Sequence, residues 1–142
     1  MNPTTRSCIT EADVNRCFLE TLYIYVEQLP PKQATTVRQS VDILLVPRAQ
    51  LSSQDYVRLI NLLWEHRGTP LEVGYRLKED LVRWLRCENT HEQRARAKTL
   101  CCTWEEQVMP PFYPLLQTLK QYAQNSHVPQ RGQAYTLALA VQ

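Results

Sequence analysis

A chain of 142 residues and 16.6 kDa fits one domain and can bury a core without disulfide or metal staples. Hydrophobic residues at 44% and charged residues at 21% are ordinary globular usage, which argues against extensive disorder, and 3 glycines against 9 prolines argue against tight β-turns or a glycine-lined phosphate loop. The formal net charge of +2 is smaller than many dedicated nucleic-acid binders carry, so it neither supports nor excludes such a partner. No apolar run approaches the length of a membrane span, so no membrane contact is expected. The residues after Met1 lack the charged-then-apolar pattern of a secretory signal. Five cysteines, odd in number and with Cys101 and Cys102 adjacent, read as reduced thiols of an intracellular protein in cytoplasm or nucleus.

Caps and prolines then divide the chain. Thr10, followed by the acidic Glu11 and Asp13, starts a first helix with the stripe Val14, Cys17, Phe18, Leu22, Tyr25 and Leu29. Pro30 ends it, and Pro31 opens a second helix whose inner face is Ala34, Val37, Val41, Leu44 and Leu45 and whose end is Pro47. Ser52 with Asp55 starts a third, expected to send Tyr56, Leu59, Ile60, Leu63 and Trp64 inward, with Gly68 as its left-handed terminator. Thr69, Pro70 and Glu72 spell a capping box for a fourth helix with Leu77, Leu81, Trp84 and Leu85 on one face. Asn89 and Thr90 cap a fifth, with Ala97, Leu100, Cys101, Trp104 and Val108 inside. After Pro110 and Pro111 a sixth carries Phe112, Leu115, Leu116, Leu119 and Tyr122. All three tryptophans are expected on inner faces.

The expectation is therefore an all-α fold, a single bundle of about six short helices over residues 10–125. A tail spans 1–9, and a linker with a mobile C-terminal tail covers 126–142. No internal repeat suggests a solenoid.

Three constellations bear on chemistry. Cys87, His91, Cys101 and Cys102 are the metal-ligand types, but the cap at Asn89 separates the first two and adjacent thiols on a helix diverge by about 100°. No metal and no cofactor is expected. Residues 53–98 read as a helix-turn-helix if the fourth helix breaks near Leu77, which would create a short recognition helix bearing Lys78, Arg83 and Arg86, with Arg94 and Lys98 on the next helix. Glu79 and Asp80 at its start oppose that reading. The patch from Met109 to Pro114 is a stiff corner that can double as a docking surface.

His66, His91 and His127 fall in separate segments, and no catalytic or phosphate-loop signature occurs, so no catalytic residue is assigned and no enzyme is expected. The leading expectation is a non-enzymatic interaction module, an adaptor or self-assembling homo-oligomer. It would use Tyr23, Ile24 and Val26 beside the first helix's stripe, with Phe112 and Tyr113. The alternative is a nucleic-acid binder using Lys78, Arg83, Arg86, Arg94 and Lys98, decided by whether the fourth helix is continuous at Leu77.

Overall fold

A computed structural model describes residues 9–107 and 109–124. The described residues form seven α-helices and two 3-10 turns joined by short loops, with no strand among them: α1 (Glu11–Val26), α2 (Pro31–Gln39), α3 (Val41–Leu45), α4 (Ser53–Glu65), α5 (Pro70–Leu85), α6 (Thr90–Trp104) and α7 (Tyr113–Gln124). Residues 1–8 of the expected N-terminal tail, the expected 126–142 segment and Val108 lie outside the described residues, while Ile9, expected in the tail, is buried in the core.

Local signals place most of the boundaries. Thr10 forms a full capping box, its hydroxyl accepting from Asp13 N–H while the Asp13 carboxylate accepts from Thr10 N–H. Ser52 accepts from Asp55 N–H, and Asn89 accepts from Glu92 N–H. Pro31 and Pro70 occupy the first turns of α2 and α5. Gly68 adopts φ +78°, turning the chain between α4 and α5.

Three expectations about elements are corrected. The second helix is two, α2 and α3, because the chain leaves helical geometry at Ser40, whose hydroxyl donates back to Thr36 O. The box at Thr69 does not form. Its hydroxyl donates to His66 O, and Glu72 accepts from Gly68 N–H instead. In α4 the buried residues are Leu59, Leu62 and Leu63, whereas Tyr56, Ile60 and Trp64 are exposed.

The core is built around α5, which packs most extensively on α1 and next on α6, while α7 lies along α6. Phe18 of α1 meets Tyr75 of α5 edge to face, with ring centroids 6.2 Å apart. Trp84 meets Tyr122 of α7 in the same way at 5.6 Å. Phe112, in the turn before α7, is fully buried.

Candidate nucleic-acid interface

The helix that was to decide the function is unbroken. Residues 70–85 form one α-helix, and Leu77 faces the core without a kink. The short recognition helix beginning at Lys78 therefore does not exist, because Leu71, Leu77, Leu81 and Trp84 need one continuous period to reach the same core.

The five proposed cations part company. Lys78 is withdrawn from solvent at 1% exposure, its ammonium 2.8 Å from Glu79 Oε2 and 4.6 Å from the centre of the Tyr75 ring. It is not available to a phosphate. Burial pulls its pKa below the usual lysine value, and Glu79 opposes that shift. Arg86 turns to α1 and grips Glu11 with two hydrogen bonds, at 2.8 and 3.1 Å. Those bonds hold the Glu11 carboxyl below its ordinary value.

Arg83 stays exposed, 3.2 Å from Asp80 Oδ1, while Asp80 Oδ2 accepts from Trp104 Nε1 of α6 at 3.0 Å. Arg94 leans toward α7, its guanidinium 5.8 Å from the centre of the Tyr122 ring. Lys98 is exposed on α6 and has no carboxylate within ion-pair distance among the described residues.

The structure adds Arg76 and Lys120, which the sequence reading passed over, to Arg96 of the basic stretch formed by Arg94, Arg96 and Lys98. Arg76 lies seven residues before Arg83 on the same face of α5 and approaches the Trp104 ring to 5.8 Å. Arg96 pairs with Glu92 at 3.4 Å along α6, and Lys120 is exposed on α7. The seven-residue spacing of Arg76 and Arg83 was the available signal.

Arg6 and Arg131 lie outside the described residues, so the described cations equal the described acids in number. Any attraction for polyanions therefore has to come from how exposed cations are placed, not from the net charge of the described residues. In the pairs of Arg76, Arg83 and Arg96 with carboxylates three or four residues away the guanidiniums are exposed, while Glu72 and Asp80 are partly buried, and each pair is worth about 1 kcal/mol or less. A phosphate can take these guanidiniums at little cost.

Of the residues expected to meet a protein partner, Tyr23, Ile24 and Tyr113 are exposed, but Val26 and Phe112 are buried. The wide apolar surface of α1 is thus mostly used internally. Among the described residues no three His, Cys, Asp or Glu side chains converge as a metal ion requires, and Cys87 turns toward Asn89 O and Glu92. No helix of the described residues is long and apolar enough to cross a membrane.

The fold is an all-α assembly with cations ranged along a helical hairpin. The family model DDE_Tnp_ISL3, described as Transposase, matches residues 13–128, which span all of α2 to α7 and most of α1. The chain belongs to this transposase family. Comparison with curated proteins and with solved structures gives no match.

Membership overturns two expectations, the non-enzymatic adaptor and the exclusion of an enzyme. Both rested on the lack of a short catalytic motif, whereas the family match extends over residues 13–128. The continuity of α5, taken as evidence for protein binding, did not discriminate.

Proposed function

We propose that these helices bind DNA in the service of transposition, with the α5–α6 hairpin and α7 presenting cations to the phosphate backbone. The family match over residues 13–128 is the observation that carries this reading. Arg83, Arg94 and Lys98 are the contacts retained from the sequence, joined by Arg76, Arg96 and Lys120. Lys78 is excluded by burial, and Arg86 is assigned to holding α1. With no recognition helix at Lys78, contact is mainly to phosphates, which gives affinity and register more than base specificity. A DNA partner also supports an intracellular location.

Anisotropy of a labelled duplex of about 30 base pairs, titrated with the full chain across a range of salt, tests the proposal. Affinity falls steeply with salt, and the slope drops by about 0.9 for each phosphate contact removed. Combined Arg83→Glu and Lys98→Glu reversal weakens binding about tenfold or more. No binding at low salt, or binding indifferent to both reversals, rejects the interface.

A further inference from the structure

The most conspicuous surface outside the cationic hairpin is the outer face of α4. Tyr56 is 42% exposed, Ile60 39% and Trp64 66%, while the opposite face buries Leu59, Leu62 and Leu63. Positions four apart on a helix advance by about 40°, so Tyr56, Ile60 and Trp64 run along one shallow line with Val57 beside it. Trp64 differs in this from Trp84 and Trp104, which are both buried.

Charge is unevenly placed around this helix. Asp55 and Glu65 lie about 140° from Ile60, one on each side, so no carboxylate of α4 shares the line. A cation stands at its end instead. Arg67 stacks on Trp64, its guanidinium carbon 4.2 Å from the ring centre and its Nη1 donating to Trp64 O. Arg67 has no carboxylate within ion-pair distance among the described residues, so its other N–H groups can meet a phosphate oxygen.

Size and spacing select the occupant. A 13-residue helix is about 20 Å long, and one line along it offers less than the roughly 800 Å² per partner of a standard protein interface. A nucleobase needs no more than the face of one ring. Tyr56 and Trp64 are eight residues apart, about 12 Å along the axis, which is between three and four rises of about 3.4 Å in a nucleic-acid strand. One short strand can therefore meet both rings, with Ile60 against the bases between them. We infer that this face of α4 binds single-stranded DNA, with Tyr56 and Trp64 as stacking platforms for unpaired bases and Arg67 as the contact to an adjoining phosphate.

The inference rests on the DNA reading for its class of partner and differs from it in what is recognised. The α5–α6 hairpin meets phosphates, whereas α4 meets the flat faces of bases. Within a duplex those faces are covered by neighbouring pairs, so the strand taken here is one freed from its complement. Every base has such a face, and the binding tolerates any sequence.

Anisotropy of a labelled oligo-dT of about 12 nucleotides, set against an abasic strand of equal length at the same low salt, tests it with the full chain. The two strands carry the same phosphates, so the comparison reads the bases. Oligo-dT binds about tenfold tighter or more, and it quenches the emission of Trp64, the exposed tryptophan, where the abasic strand does not. Trp64→Leu and Tyr56→Leu, both at exposed positions, each weaken oligo-dT binding about tenfold and leave duplex binding unchanged, while Trp64→Phe keeps most of the affinity. Equal affinity for the two strands, unchanged oligo-dT binding in Trp64→Leu, or an equal loss of duplex binding in that variant each overturns the proposal. A change in Trp64 emission with protein concentration alone, and no further change with oligo-dT, also overturns it and gives the stripe to a protein contact. The Arg83→Glu and Lys98→Glu chain keeps the preference for oligo-dT over the abasic strand. A chain that binds oligo-dT but no duplex rejects the hairpin and keeps this site, and the reverse rejects this site alone.

Discussion

Trp84 and Gln93 hold each other's backbone: the Trp84 indole N–H donates to Gln93 O at 2.8 Å, and Gln93 Nε2 donates to Trp84 O at 3.2 Å. The reciprocal pair staples the end of α5 to the start of α6. Tyr122 of α7 adds a third strut by donating to Gln93 Oε1 at 3.3 Å. All three elements that carry the proposed DNA contacts are thus fixed at one buried amide. Gln93→Leu leaves Trp84 O and the Tyr122 hydroxyl without this partner, and is expected to cost about 2 kcal/mol. Urea denaturation reads that loss as a lowered midpoint. DNA affinity falls with it, although no cation has been touched.

Lys78 and Glu79 make an asymmetric pair, the first fully buried and the second at 15% exposure. Removing the acid strands a buried ammonium, so Glu79→Gln is expected to destabilise by roughly 3 kcal/mol. Lys78→Met replaces the same volume with an apolar chain and removes the desolvated charge. It is expected to lie within about 1 kcal/mol of the parent or above it. Equal losses in the two variants on thermal denaturation would contradict this account.

The same neighbourhood shapes the alkaline stability profile. Lys78 has a lowered pKa, so between that value and the ordinary 10.5 the unfolded chain binds more protons and stability rises with pH. Tyr75 has the opposite sign. Burial, helped by Glu79 and opposed by Arg48, pushes its phenol from 10.0 up to about 12, so the folded state keeps the proton longer and stability falls as pH climbs through that window. The two effects oppose each other, Lys78 raising stability on the approach to 10.5 and Tyr75 lowering it above 10.0. In Lys78→Met the rise disappears, and in Tyr75→Phe the fall is reduced, both measured by denaturation at stepped pH.

Glu11 and Arg86 couple α1 to α5 across 75 residues of sequence. Glu11 is held below its ordinary 4.5, chiefly by hydrogen bonds from Arg86, so its contribution is present above that pH and is lost as pH falls through the folded value. Arg86→Gln is expected to bring the Glu11 titration, followed by carboxyl NMR, back toward 4.5 and to flatten this part of the acid limb. The variant should alter DNA binding less than Arg83→Glu does, because Arg86 is engaged with α1.

The boundaries of these helices were legible because their causes are local. A capping hydroxyl, a proline or a positive-φ glycine acts within four residues of itself, and Thr10, Ser52, Pro31, Pro47 and Gly68 each stand at or beside a break. Ser40 was missed because its side chain competes with the helix through Thr36 O, a choice that an uninterrupted apolar period conceals. The cations of the candidate interface were legible as residue types. Their availability was not, since it depends on partners such as Glu11, Asp80 and Glu79 and on burial by helices far away in the chain.

The sequence by itself determined an all-α chain and most of its helix ends, and it pointed to the stretch of chain from Arg83 to Lys98 as the most basic. Only the tertiary structure decided that α5 runs unbroken through Leu77, that Lys78 is inside, and which side of α4 is buried. The reason is most visible in α4, where apolar residues cover much of the circumference and either Leu59–Leu62–Leu63 or Tyr56–Ile60–Trp64 satisfies a helical period. Periodicity finds a helix, but it cannot choose between two apolar faces. That choice is made by the summed packing of neighbours, and here it left two aromatics and two aliphatic side chains on the outside.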